Sequence, residues 1–326
     1  MEKAVRFHQT GGPEVLTLED VTVGEPGQGE VRLRHVAVGL TFADTYFRNG
    51  TYPIPLPAGM GVEAAGVVEA IGDGVSNVAV GDKVTYTGFL NTLGAYSTAR
   101  IISAAPLIKL PEGIDCETAA AMTMRGLTSA YLMRRIHPFK AGDTLLIHAA
   151  AGGVGLIVCQ WARALGATVI GTVSSDEKAA LAKAHGCDHA IIYTRENFAE
   201  RVREITGGKG VRVVYDSIGK DTFTGSLECL RPLGMMVLFG AASGPVPPFD
   251  LGLLAKMGSL FITRPTLFTY IAQRSDLLAI SGDLFDVVTS GKVKIEVNQT
   301  YALKDAAQAQ IDLVARKTTG STVLLP

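Results

Sequence analysis

Residues Thr144–Leu165 read TLLIHAAAGGVGLIVCQWARAL, and this stretch decides the fold. It opens on a short apolar run, Thr144–His148, passes through Ala150-Ala151-Gly152-Gly153-Val154-Gly155, and continues with Val154, Ile157, Val158, Trp161, Ala162 and Leu165 at helical spacing. The segment Thr144–Ala162 contains no Asp, Glu, Lys or Arg, long enough to raise the question of a membrane span. Three glycines in its middle, with His148 and Gln160 nearby, fit a strand, a tight turn and a helix better than one continuous helix. Such a turn is what a pyrophosphate needs: close backbone approach, first-turn N–H groups and the positive end of a helix dipole. Gly152 removes the Cβ that would block that approach, and Gly155 lets the helix pack closely on the strand. Ala150 stands where the usual dinucleotide fingerprint has its first glycine, so the motif is a variant.

Working outward, the same texture repeats. Apolar runs at Thr168–Val173, His189–Tyr193, Val211–Asp216, Met235–Gly240 and Ser259–Thr263 alternate with amphipathic segments. Six strands separated by helices imply right-handed crossovers and a parallel sheet covered on both faces, an α/β doubly wound dinucleotide fold. Before it, residues 1 to about 120 read as strand and turn: Glu30–Val38, Val62–Ile71 and Lys83–Tyr86 are valine-rich and bounded by Gly, Pro, Asn and Asp. Tyr52–Gly61, with Pro53, Pro55 and Pro57, reads as a loop. Cys116–Ile136 has helical periodicity, and after Pro265 helices return, with a terminal strand near Thr322–Leu325.

Composition narrows the function. The chain has 326 residues, enough for one large or two ordinary domains. A net charge of -1 gives no pull toward nucleic acid or anionic membrane. Cys116, Cys159, Cys187 and Cys229 are dispersed, which suits reduced thiols rather than a disulfide framework, and the first residues lack the apolar core of a signal peptide. The expectation is a soluble, cytoplasmic protein. None of the six histidines sits beside an obvious nucleophile or ligand cluster in the sequence, and no Ser/His/Asp arrangement stands out. Cys159 reads as core, and Cys187-x-His189 as an ordinary helix-to-strand connection rather than a metal pair.

The second strand of the fold speaks to the cofactor. NAD-binding chains usually place an acid about 20 residues past the glycines, on the ribose 2′-OH. Here that strand ends Thr172-Val173-Ser174-Ser175, and Asp176 is already in the turn. Ser174, Ser175 and Lys178 supply donors and a cation suited to a 2′-phosphate, which points to NADPH. Equally, Ser175 or Asp176 is suited to cap the next helix, with Lys178 a solvated charge.

The whole chain resembles the medium-chain dehydrogenase/reductase superfamily, and within it the zinc-free, zeta-crystallin-like quinone oxidoreductases. The resemblance is carried by Gly61-Val62-Glu63-Ala64-Ala65-Gly66-Val67-Val68 with Gly81-Asp82-Lys83-Val84, by Ala149–Gly155, by Val213–Gly219, and by Ile262-Thr263-Arg264-Pro265. It implies a GroES-like β-rich catalytic domain, residues 1–122 and 266–326, around a Rossmann domain at 123–265, and a homodimer. Zinc-dependent members carry a histidine where Val62 stands, and no cysteine precedes Cys116, so the resemblance implies a metal-free site. It places Thr128, Ser217, Phe239, Gly240, Thr263, Arg264 and Arg316 around NADPH, with Tyr193 at its adenosine end. Thr41, Asp44, Tyr46 and Tyr52, in the loop 40–52, correspond to positions lining the nicotinamide and substrate. Tyr46 or Tyr52 is suited either to stack on and donate to a quinone or simply to pack. Asp44 reads as a turn acid or a proton relay, and Thr41 stands where the family's usual residue is asparagine. The expected activity is NADPH-dependent quinone reduction, with reduction of an enone or alkenal double bond as the alternative. A structural or RNA-binding role is disfavoured by 7% aromatics and the absence of a basic run.

Overall fold

The computed structural model describes residues 1–88 and 93–326. The chain forms two compact units: Met1–Leu127, Ile271–Thr289 and Ile295–Pro326 make the first, and Thr128–Tyr270 with Ser290–Lys294 the second.

The second unit is built on six strands: β9 (Thr144–Ile147), β10 (Thr168–Val173), β11 (His189–Ile192), β12 (Val211–Asp216), β13 (Leu230–Leu238) and β14 (Phe261–Thr263). Their order across the sheet is β11-β10-β9-β12-β13-β14, and every adjacent pair is parallel. Reading outward from β9, this is the doubly wound order, with the reversal point beside the C-terminal end of β9. Five of the six residues of β10 are buried, as expected of a strand covered on both faces. Helices α3 (Gly153–Ala164), α4 (Asp176–Ala184), α5 (Phe198–Ile205), α6 (Phe223–Glu228), α7 (Gly252–Lys256) and α8 (Leu267–Tyr270) form the crossovers and the exit. Along α3, Ile157, Val158, Trp161 and Ala162 are buried, whereas Val154 and Leu165, at its two ends, are only half-buried. Cys159 is fully buried, and Cys187 lies in the turn between α4 and β11.

The first unit holds β1 (Glu2–Phe7), β2 (Thr17–Val21), β3 (Glu30–Leu40), β4 (Ala58–Gly59), β5 (Glu63–Ile71), β6 (Lys83–Thr87), β7 (Ala99–Ser103) and β8 (Ile108–Lys109), with β15 (Val297–Ala302) and β16 (Ser321–Leu325) from the C-terminal part. One sheet runs β2-β1-β4; the larger runs β15-β16-β3-β5-β6-β8, with β7 also on β3. The last strand thus lies antiparallel beside β3, completing a sheet begun nearly three hundred residues earlier. The core gathers Phe7, Leu33, Leu40, Phe47, Met60, Tyr86, Tyr96 and Leu107. The remaining helices of this unit are α1 (Phe42–Arg48), α9 (Arg274–Thr289) and α10 (Ala306–Val314); α2 (Cys116–Tyr131) carries the unit boundary.

Four readings of the sequence change. The segment expected as a loop at 40–52 contains helix α1, because the Asp44 carboxylate accepts the Thr41 N–H at 2.8 Å and so caps its own first turn. The proline-rich stretch contains the short strand β4, and β15 was not expected in the C-terminal part. The helix expected to reach Ile136 changes at Leu132 to a wider, π-type turn, Leu132–Ile136.

Candidate functional site

In the second unit, the turn after β9 is fixed by backbone contacts. Ala149 sits at φ +53°, Gly152 N–H donates to Ala149 O at 2.8 Å, and Ala150 N–H donates to Thr172 O at 3.0 Å on β10. Gly152 is the N-cap of α3 and no side chain caps the helix, so its first-turn N–H groups, from Gly153, Val154 and Gly155, point along the axis without intrahelical partners. A methyl on Gly155 would lie 2.4 Å from Ala149 O and 2.6 Å from Ala150 O, so the helix can approach the strand this closely only with glycine there.

The variant first position also has a structural reason. Ala150 is fully buried, and a Cβ on Gly171, in β10, would fall 2.5 Å from the Ala150 methyl and 2.8 Å from Cys187 Sγ. Room for the Ala150 side chain is therefore supplied by a glycine on the neighbouring strand. This compensation is invisible in a linear reading because it crosses between strands.

At the end of β10, Ser175 Oγ accepts the Lys178 N–H at 3.4 Å as the N-cap of α4, so the capping reading of Ser175 holds. Asp176 is engaged by Arg195, Nη2 to Oδ1 at 2.7 Å, and Thr194 Oγ1 donates to Ser174 O at 3.1 Å. Arg195 was missed by the sequence reading. Ser174, Ser175 and Lys178 are half-buried and Tyr193 is exposed. Ser217 O, held by Ala242 N–H at 3.1 Å, lies where a Cβ on Gly240 would clash at 2.6 Å, which brings Ser217, Phe239 and Gly240 onto adjoining turns. Thr128 is buried, Thr263 half-buried, and exposed Arg264 donates to Pro265 O at 3.2 Å. Arg316 belongs to the first unit, at φ +60° just after α10.

His148 has partners that lie far from it in the sequence. His148, buried at the end of β9, places Nδ1 2.9 Å from Thr172 Oγ1 and Nε2 2.9 Å from Ser226 Oγ, and Ser226 Oγ donates to Asp216 Oδ2 at 2.8 Å. A serine, a histidine and an aspartate do meet. Ser226 is fully buried and stands between the other two, so the arrangement is not that of a nucleophilic triad.

In the first unit, Thr41, Asp44, Tyr46 and Tyr52 come together on α1 and the turn after it. Asp44 is fully buried; its Oδ2 accepts from Thr41 N at 2.8 Å, Thr41 Oγ1 at 3.2 Å and Tyr96 OH at 3.0 Å, while Oδ1 has no partner among the described residues. Half-buried Tyr46 and Tyr52 meet edge-on with ring centres 5.3 Å apart. Glu63, also fully buried, accepts Met124 N–H at 2.6 Å and pairs with Arg125 at 3.2 Å; Arg125 also donates to Leu40 O. Burial pushes the Asp44 carboxyl up to about 6 against the pull of its hydrogen bonds and Arg125. Burial likewise lifts Glu63 to about 7, with Arg125 opposing and the Asp44 charge adding to the rise. Val62, beside Glu63, is buried hydrocarbon, and among the described residues no three His, Cys, Asp or Glu side chains group as a metal site requires.

Two predictions follow from this geometry. Gly171→Ala should destabilise the protein by about 1–3 kcal/mol, and adding Ala150→Gly should recover part of that loss. Denaturant titration of the two single variants and the double variant checks it, and strict additivity would contradict the cross-strand fit. For Glu63 and Asp44 the folded state holds protons more tightly than the unfolded chain, so their contribution is present at low pH and is lost as pH rises through about 6 to 7. Buried His35, held down to about 3 by desolvation, acts in the opposite sense below its ordinary range. The comparison is therefore wild type against Glu63→Gln between pH 5 and 8: the wild type should lose stability relative to the variant as pH rises, and parallel curves would refute the assignment.

Comparison with known proteins agrees along the whole length. Residues 27–112 match the family model described as alcohol dehydrogenase GroES-like domain, and residues 153–279 that described as zinc-binding dehydrogenase. The zinc of that second name has no donor set among the described residues. A quinone oxidoreductase of Pseudomonas aeruginosa is 52% identical, covering 100% of both chains. A 2-haloacrylate reductase of Burkholderia sp is 50% identical over 100% of this chain and 99% of its own. The crystal structure of Escherichia coli quinone oxidoreductase complexed with NADPH superposes with a TM-score of 0.96 at 47% identity, over 99% of this chain and 100% of that one. With two units of the expected folds and relatives of this identity over its full length, the chain belongs to the quinone oxidoreductases of the medium-chain dehydrogenase/reductase superfamily.

Proposed function

We propose that this protein is an NADPH-dependent quinone reductase that works without a metal. The observation that carries the reading is the turn at Gly152–Gly155: an uncapped helix N-terminus reached by a backbone that a single methyl on Gly155 would displace. NADPH fits that cradle, and when bound it supplies the reducing equivalents for the quinone. The first-turn N–H groups of α3 hold the pyrophosphate, while Ser217, Phe239, Gly240, Thr128, Thr263 and Arg264 keep the nicotinamide end in place. Ser174, Ser175, Lys178 and Tyr193 take the adenosine end and its 2′-phosphate. Arg195 supports the choice of NADPH, because it brings a cation to Asp176, the first acid past the end of β10. The first unit serves the quinone and the second the cofactor.

On the substrate side, Tyr46 and Tyr52 offer flat faces for a planar ring and phenolic hydroxyls for the oxygen that gains charge. Thr41 Oγ1 donates its one hydrogen to Asp44 and so holds that carboxyl in place, and the raised proton affinity of Asp44 suits it to hold a proton near neutral pH. A quinone already has a low-lying acceptor orbital, so orientation does much of what a Lewis acid does for an unactivated carbonyl. A second reading, reduction of a carbon–carbon double bond conjugated to a carbonyl, is favoured by the 50% identical relative named 2-haloacrylate reductase. We also place the protein in the cytoplasm as a homodimer; no described helix is long and apolar enough to cross a membrane, and the edge strand β14 leaves Phe261 55% exposed.

Initial rates decide between these readings. NADPH oxidation should be fast with simple benzo- and naphthoquinones, slower with NADH, and unchanged by prior chelation or added zinc. No turnover across the quinone panel, alongside turnover of enones, would transfer the assignment to the second reading; loss on chelation with recovery on zinc would overturn both. Tyr46→Phe and Tyr52→Phe should each lower kcat/KM for quinone by roughly tenfold or more while leaving the KM for NADPH near the wild-type value. Unchanged kcat/KM in both variants would reduce the two tyrosines to packing groups.

A further inference from the structure

The buried polar groups of the second unit form a chain that the reading above does not use. Thr172, His148, Asp216 and Ser226 are each at most 2% exposed. Ser226 has one hydrogen, and Asp216 Oδ2 accepts it at 2.8 Å. The 2.9 Å contact from Ser226 Oγ to His148 Nε2 then requires that Nε2 carry a proton and donate. With a neutral ring, Nδ1 is left as an acceptor, and the partner at 2.9 Å is the Thr172 hydroxyl. The ring stays neutral because burial lowers its proton affinity more than Asp216 raises it. Every hydroxyl and ring nitrogen then points one way: Thr172 to His148, His148 to Ser226, Ser226 to Asp216. Phe198 closes the edge of the imidazole, ring centres 5.0 Å apart.

The ends of the chain matter more than its middle. Asp216 Oδ1 accepts the N–H groups of Ile218 at 2.8 Å and Gly219 at 3.0 Å, and Thr222 Oγ1 shares Oδ2 at 2.7 Å. Its backbone carbonyl accepts Phe239 N–H at 2.8 Å. The Asp216 carboxylate thereby fixes the 217–219 turn, and the backbone carbonyl of the same residue fixes the entry to Phe239–Gly240. At the other end, the Thr172 carbonyl accepts Ala150 N–H at 3.0 Å, and His148 N–H is bonded to Tyr215 O at 3.0 Å. The chain thus joins the glycine turn, the end of β10 and the two turns after β12 and β13.

We propose that Ser226 and His148 are positioning residues for NADPH binding: their one-way hydrogen-bond chain to Asp216 sets the mutual placement of the turns at 149–155, 217–219 and 239–240, although neither is among the residues assigned to touch the cofactor. The inference rests on the NADPH reading above. It differs from a packing role in its direction. His148→Gln keeps a donor near Nε2 and so preserves the link to Ser226, whereas His148→Asn keeps only the acceptor toward Thr172. Ser226→Ala removes the link outright and strands the ring N–H in a dry interior.

Two measurements test it. Selective 15N labelling of histidine reports the tautomer in the wild type without cofactor: His148 should be the Nε2–H form, and an Nδ1–H form or an imidazolium at neutral pH would overturn the proposal. In steady-state kinetics, Ser226→Ala and His148→Asn should raise the KM for NADPH by about tenfold, with kcat and the KM for quinone within about twofold of wild type, and His148→Gln should stay near wild type. An unchanged KM for NADPH in both disrupting variants, or equal losses in the Gln and Asn variants, would show a merely structural role. If Ser226→Ala fails to fold, the Gln and Asn pair and the tautomer still decide. Failure of the wild type to bind NADPH would fail the functional reading instead, and is seen in the unmutated protein.

Discussion

The closeness of α3 to the carbonyls of Ala149 and Ala150 is the constraint on which the second unit depends. It demands glycine at 155, holds Ala149 at positive φ, and aims the first-turn N–H groups outward. A left-handed alanine costs on the order of 1 kcal/mol, which the surrounding strands must offset. They do so through the Ala150 N–H bond to Thr172 O and through Gly171, whose missing side chain leaves space for the Ala150 methyl. The open N-terminus of the helix is thus a product of fit between two strands and a helix rather than of the glycines alone.

The first unit solves a different problem with buried charge. Asp44 and Glu63 are both without solvent exposure, and one guanidinium, Arg125, lies near both. Burial disfavours the ionised form of each acid more than its partners favour it, and at Glu63 the Asp44 charge adds to the effect, so proton affinity rises at both. That raised proton affinity is placed where α1 begins, at a carboxyl that accepts the hydroxyls of Thr41 and Tyr96. A carboxyl whose proton affinity sits near neutrality is useful to a reaction that must deliver protons to a reduced oxygen.

Much of the second unit is legible in the sequence because its strands lie between covered faces and so read as short apolar runs: Thr168–Val173 and Val211–Asp216 are found at the positions the runs mark. The cap at Ser175 is equally local and equally visible. Helix α1 was hidden because it has only seven residues and its signal is a capping pair, Thr41 with Asp44, beside a proline-rich stretch. Strand β15 was hidden because VNQTYA is half-buried and carries no clean alternation. The polar chain of His148 was hidden for a topological reason: its partners lie 24 and 78 residues away and meet only when β9, β10 and α6 pack. Arg195 is the same case, brought to Asp176 by the pairing of β10 with β11.

A crystal structure of the protein grown with NADPH shows where the cofactor lies. Pyrophosphate density is expected against the N–H groups of residues 153–155, and 2′-phosphate density beside Ser174, Lys178 and Arg195. A dinucleotide bound with its pyrophosphate away from the start of α3, or with the 2′-phosphate turned away from the end of β10, would contradict that placement.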